Sequence, residues 1–342
     1  MLRLLPWLGL FLTTAFARAQ DLPDLPDPVG RAGMMAAVLR EPDGSEVILA
    51  AGGTNFPDKP LWQGGQKRYH ADILKLAAGG GAWRWSKVGE LPEALVGAAF
   101  CASPARDALI IAGGAAADGH RGAVWSVTTD GRVRRFGPDL PEARAYAGFA
   151  VRDGQLHVVG GIARPDATAA VATMASLDLR HPDRPWVVSA PDAGFARIIP
   201  LVAGTEAGLL FGGGCSLTEK EGQPFRTYHR DLRVGETRGA LAGPLAGAAG
   251  PGVVTRTHVL FVGGDDGAQY GRPPETHRGL ARRILAIDLR TLATKDLGAW
   301  PGPVAVAPLL RLGDDLVTVS GEMRPGVRTP KLTRWTIPAE YR

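Results

Sequence analysis

One short stretch near the end of the chain gathers groups that can move protons and hold acids. It reads Ser320-Gly321-Glu322-Met323-Arg324-Pro325-Gly326-Val327-Arg328-Thr329-Pro330. A carboxyl group set in a turn can accept a proton and return it, which is the minimum for general acid–base work. A guanidinium in the same turn can grip a carboxylate through two parallel hydrogen bonds. The plainer alternative is a surface ion pair between Glu322 and Arg324 or Arg328, which is worth little energetically.

Other polar residues stand in comparable places. The segment Thr54–Tyr69 opens with Asn55, which can hydrogen-bond a ligand hydroxyl or fold its own loop as an Asx-turn. Asp265-Asp266-Gly267 could suggest a cation, but such a site needs six or more oxygen ligands. Two adjacent carboxylates before glycine read as turn chemistry, so no metal is expected. Arg144 and Arg197 follow Leu-Pro-like signals and either contact a ligand or brace one loop against the next. The seven histidines are scattered without paired metal spacing. No Gly-x-Ser-x-Gly elbow, phosphate loop or dinucleotide fingerprint is present, so no cofactor is expected.

What positions these residues is a repeat. Six times a short apolar run ends in a glycine pair: at Gly52-Gly53, Gly113-Gly114, Gly160-Gly161, Gly212-Gly213, Gly263-Gly264, and Ser320-Gly321, where serine replaces one glycine. A period of roughly 50 residues with one buried strand per repeat is the signature of a radial β-architecture. Each repeat reads as four strands, the last often followed by Leu-Pro. The sixth runs out after its third strand, whereas Leu22-Pro23 and Leu25-Pro26 stand surplus at the start. The sequence therefore predicts an all-β, six-bladed propeller whose last blade is completed by a strand from residues 20–26. In a blade entered from the inside, the loops after strands two and four open on one face. That face carries the longest loops, and with them Asn55, Asp265, Glu322 and Arg328. A β-sandwich with glycine turns would lack the repeat.

The repeats run unbroken, so residues 20–342 are expected to form one domain. Residues 1–19 carry Arg3, an apolar stretch and Ala17-Arg18-Ala19, the pattern of a secretory signal. The protein is thus expected to be exported, to the periplasm, with no stable membrane insertion. Losing that segment takes the formal charge from +5 to about +3, too mild for a nucleic-acid partner. Cys101 and Cys215 lie in different repeats, too far apart for a bridge, and are expected to be free thiols. The expected oligomeric state is a monomer or weak homodimer.

Two segments are more diagnostic than the glycine pairs: Asn55-Phe56-Pro57-Asp58-Lys59, and Gly321-Glu322 through Arg328-Thr329. With them the chain resembles the kelch-type N-acetylneuraminate mutarotases (epimerases), in particular their cyclically permuted branch. The resemblance spans essentially the whole chain after residue 19. The loop Cys215–Phe225 and the segment His277-Arg278-Gly279 follow the pattern only loosely. The resemblance implies a kelch-type propeller that speeds α/β anomer interconversion of free sialic acid or a related sugar acid. It implies Glu322 as the acid/base and Arg328 as the active-site arginine. Asn55, Arg144, Arg197, Arg324 and Asp265 are the expected substrate-binding residues. The competing expectation is a non-enzymatic propeller that binds a glycan or protein through its loop face, since this fold hosts many functions.

Overall fold

The computed structural model describes residues 22–190 and 193–342. The expected secretory signal and residues 20–21 lie outside the described residues. Strands and turns make up the fold, with four short 3-10 turns and no α-helix among the described residues. Six antiparallel sheets are arranged as a β-propeller. Blade one is built from Met35–Arg40, Glu46–Ala51, Asp72–Gly79 and Ala82–Glu90, hydrogen-bonded in that order from the axis outward. Blades two to five repeat this pattern, beginning at Ala99–Ala102, Gly148–Arg152, Leu201–Thr205 and Ala249–Val254. Blade six has Leu309–Leu312, Asp315–Val319 and Leu332–Thr336.

The core consists of six apolar wedges, one between each pair of adjacent blades. Blades two and three share Ile110, Val158 and Leu177, for example, and blades four and five share Leu210, Phe261 and Ile287. The wedge that closes the ring joins Ile48 and Leu74 of blade one to Val317 and Val319 of blade six, with Leu22 and Leu25 between them. Burying a leucine side chain contributes about 1.5–3 kcal/mol, so the amino-terminal segment holds the ring shut mainly through its apolar side chains.

That segment does not form the expected fourth strand of blade six. Residues 22–26 have no strand pairing, and the last sheet has three strands among the described residues. One element of the expectation is kept. Leu25 N donates to Pro330 O at 2.8 Å, just as Leu91 N donates to Ala71 O, Leu140 N to Gly122 O and Leu241 N to Arg230 O. The Leu-Pro corner of blade six is thus supplied by the other end of the chain, without the ladder before it. Proline at 23 and 26 removes the N–H groups that a ladder would need.

The glycine pairs have one geometry. The first member takes φ between 55° and 72° in blades one to five, and the second donates its N–H to a carbonyl of the following blade. Those bonds run from Gly53 to Leu95, Gly114 to Arg144, Gly161 to Arg197, Gly214 to Leu245, Gly264 to Val304 and Gly321 to Arg31. In blade four the pair is Gly213-Gly214, one residue later than the sequence pattern suggests, because Gly212 ends its strand with ordinary φ. A Cβ on Gly263 would lie 1.9 Å from Val304 O, which is why the first position demands glycine. Ser320 occupies that position in blade six at φ 58°. Its hydroxyl accepts from Arg31 N at 2.7 Å and lies 2.7 Å from Arg31 O and 2.6 Å from Thr329 O. The serine therefore fastens the ring closure.

Two residues past each of these carbonyls, the chain turns into the next inner strand through a residue at positive φ. The six are Gly33, Gly97, Tyr146, Ile199, Gly247 and Val306. Each donates its N–H to the carbonyl of the one before: Gly97 to Gly33, Tyr146 to Gly97, Ile199 to Tyr146, Gly247 to Ile199, Val306 to Gly247, and Gly33 to Val306, at 2.7–2.9 Å. These bonds form a closed collar around the axis.

Candidate functional site

On the loop face, above the collar, lies a cavity of about 780 Å³. Its floor includes Ile199, Gly247 and Val306 of the collar, and its walls carry Lys67, Arg226, Asp265, Glu322 and Arg328. The axis holds a narrow apolar space of about 80 Å³ past the collar, and a second mouth of about 410 Å³ opens on the opposite face.

The repeat explains how the two carboxylates reach this wall. The residue after each glycine pair forms a bridge with the lead-in of the next blade: Thr54 with Ala32, Ala115 with Val96, Ile162 with Ala145, Cys215 with Ile198, Asp265 with Ala246 and Glu322 with Ala305. All six therefore stand at one level around the axis. Asp265 and Glu322 are the acids of that level, on adjacent blades. Glu322 begins a small hairpin, Glu322–Arg324 with Val327–Arg328. Its Oε1 accepts from Gly326 N at 2.9 Å and from Arg328 Nη1 at 2.5 Å. Its Oε2 has no hydrogen-bond partner among the described residues. One oxygen is fixed and the other is free at the cavity wall.

Arg328 is buried, with 7% of its side chain exposed. Beyond Glu322 it reaches Thr54 O through Nε at 3.3 Å, and its guanidinium lies 5.4 Å from the Phe56 ring. Much of its hydrogen-bonding fork is therefore committed to holding Glu322 against the first loop. Asp265 accepts from Tyr228 Oη at 2.6 Å and from Gly267 N at 2.9 Å. Burial and the neighbouring Asp265 carboxylate push the Tyr228 phenol up, so it stays a donor.

The other expected binding residues lie elsewhere. Asn55 is buried at 1% exposure: its Nδ2 donates to Asp27 Oδ2 and Gly30 O, and its Oδ1 sits 2.9 Å from His70 Nε2. It fixes the first loop to the ring closure and does not line the cavity. Arg144 donates to Thr173 O and Thr173 Oγ1, and Arg197 holds Asp231 through both terminal nitrogens and also Gly213 O. Both are buried behind the mouth as braces between blades, which corrects the expectation of a direct ligand contact. Their place in the repeat explains this, because their carbonyls receive the glycine N–H of the preceding blade while their side chains reach strand ends of the blade that follows. Arg324 stacks over the Trp62 ring at 5.1 Å and reaches the Glu275 and His277 carbonyls, tying rim loops together outside the cavity.

Two charged cavity residues, Lys67 and Arg226, were not singled out by the sequence reading. Lys67 lies 4.9 Å over the Tyr69 ring. Arg226 stands on the long hairpin Cys215–Lys220 with Gln223–Tyr228. Neither has a carboxylate partner among the described residues. Tyr228, which the sequence reading also passed over, stands behind the cavity lining and orients Asp265. Lys67 and Arg226 carried no local signal in the sequence beyond lying in or beside two of the long loops. Cys101 and Cys215 are unpaired, as expected, and burial pushes both thiols up to about 12. No cluster of metal-ligating side chains occurs among the described residues.

No protein-family model matches the chain, and no curated protein sequence does. Among solved structures, that of YjhT superposes with a TM-score of 0.63 over 93% of this chain and 97% of that one, at 14% sequence identity. At that identity the likeness speaks for the fold alone.

Proposed function

We propose that the protein is a mutarotase for a free sugar acid of the N-acetylneuraminate type. The observation that carries this reading is Glu322. One of its oxygens is held by Arg328 and Gly326, and the other has no partner among the described residues at the wall of a cavity large enough for a monosaccharide. Anomer exchange needs a proton taken from the anomeric hydroxyl and returned on the other face, and a single positioned carboxyl can do both. Lys67 and Arg226 supply positive charge with no carboxylate partner among the described residues, which suits an anionic sugar. Arg328 positions Glu322, while the acid group of the ligand falls to the free cations. The likeness of the rim motifs to the kelch-type mutarotases supports the same reading.

The amino-terminal signal pattern supports an exported protein. The ligand is a small acid, and nothing in the charge distribution favours nucleic acid. The rim also exposes Phe225 and Tyr270, 5.8 Å apart and edge-on, a surface that suits a glycan-binding module. One experiment separates the two readings. A freshly dissolved single anomer of sialic acid is followed by NMR with and without protein. Faster approach to the equilibrium mixture is expected. Binding with no acceleration would overturn the enzyme reading in favour of the module.

A further inference from the structure

Of the six collar residues, Tyr146 is the one with a titratable side chain. Gly33, Gly97 and Gly247 fill three of the six places, while Tyr146 at φ 56°, Ile199 at φ 45° and Val306 at φ 50° set bulky side chains in the other three, outliers for such residues. Strain of this kind persists only where the surroundings hold it, and it concentrates at functional centres. The surroundings do hold it. The ring meets His120 edge-on at 6.4 Å and, like Tyr69, packs against Val96, Ala115 and Ala145, and a Cβ on Gly97 would come within 2.8 Å of it. The side chain borders the narrow axial space, which shares Ile199, Gly247 and Val306 with the site cavity. Its hydroxyl has no hydrogen-bond partner among the described residues. Lys67, Tyr69, Glu322 and Arg328 are all near enough to act on it electrostatically, and His120 faces the ring. Burial raises its pKa above the ordinary phenol value, so it keeps its proton at neutral pH, while the Lys67 charge pulls the other way.

We propose that Tyr146 is a second catalytic residue of this site, the acid that works opposite Glu322. The proposal rests on the mutarotase reading. In ring opening, Glu322 Oε2 takes the proton of the anomeric hydroxyl as its O–H electrons form the carbonyl. The bond between the anomeric carbon and the ring oxygen breaks, and its electron pair goes to the ring oxygen. That oxygen takes the Tyr146 proton, leaving a phenolate that the Lys67 charge favours. After rotation of the open chain, its hydroxyl attacks the other face of the carbonyl and returns a proton to the phenolate. The carbonyl oxygen takes the proton held by Glu322. Both residues end as they began, and no other reactant is consumed.

The test compares wild type, Tyr146→Phe and a protein carrying 3-fluorotyrosine at position 146, in anomer-exchange kinetics across pH. Tyr146→Phe should lower kcat by about 10²-fold, the scale of a lost general acid, with KM within about threefold. Fluorotyrosine, a more acidic phenol of nearly the same shape, should fold as wild type and move the alkaline limb of kcat to lower pH. A purely structural role would leave that limb in place. Wild-type kcat in the Phe variant together with an unmoved limb in the fluorinated protein would overturn the role of Tyr146 while leaving Glu322 as catalyst. A wild-type protein inert on free sugar acids would overturn the mutarotase reading and this role with it.

Discussion

In the proposed reaction, Glu322, Arg328 and Arg226 divide the work of the site between proton transfer, positioning and charge. Glu322→Gln keeps the shape and the contacts to Gly326 and Arg328 but cannot cycle a proton. Its kcat for anomer exchange should fall by about 10²–10⁴-fold with KM little changed, read by the NMR time course. Arg328→Lys keeps the charge but loses the Nε contact to Thr54, so Glu322 should lose its fixed orientation. A fall in kcat larger than any rise in KM is expected; the reverse pattern would make Arg328 the acid's anchor. Arg226→Ala should raise KM for the acid by about tenfold, at the low end of a charge-assisted hydrogen bond, and leave a neutral analogue unaffected. Glu322 and Asp265 could be found in the sequence because each follows a glycine pair and the repeat fixes where that position points, and Arg328 because it lies in the same short turn as Glu322. Asn55, Arg144 and Arg197 were misplaced because their partners, Asp27, Thr173 and Asp231, are distant in sequence. Only the folded chain shows that those partners use up the side chains.

At the scale of the element, the informative position is Ser320. Its φ of 58° favours glycine, yet its hydroxyl satisfies the buried Arg31 N–H. Ser320→Ala keeps the strained Cβ and strands that donor, at a cost of about 1–3 kcal/mol. Ser320→Gly also strands it but relieves a left-handed strain of about 1–2 kcal/mol. The alanine variant should therefore melt below the glycine variant, and both below wild type, in thermal unfolding followed by circular dichroism. Equal melting of all three would remove the latch role. The six blades were legible because apolar runs and glycine pairs are local signals with a fixed period. The closing strand was not. The surplus Leu-Pro signal marks a corner, and it says nothing about whether the preceding residues pair, which their prolines prevent.

For the molecule as a whole, several partly or fully buried histidines set how stability follows pH. Burial lowers the pKa of His70, His120, His157 and His229 below the ordinary 6.5. As pH falls through 6.5 the unfolded chain binds protons first, so the folded state loses ground until its own histidines titrate. Asp72 and Asp231 act later. Burial alone would raise them, but Lys87 and Arg31 for the first, and Arg197 for the second, hold them below 3.8. Their contribution is present above 3.8 and lost as pH falls through their folded values. Thermal midpoints should thus decline between pH 7 and 5 and again below about 4; a flat profile from 7 to 5 would mean that these histidines ionise freely in the fold. The collar bears on electrostatics in a different way. Its six N–H···O=C bonds run head to tail in one sense around the axis, so their dipoles circulate and cancel instead of adding up. Where a helix end would present a fixed partial charge to a ligand, this ring presents almost none along the channel. The sign preference of the cavity is therefore written almost wholly in exchangeable side chains. Reversing Lys67 and Arg226 to acids should turn the same scaffold towards cationic ligands without disturbing the backbone that holds it together.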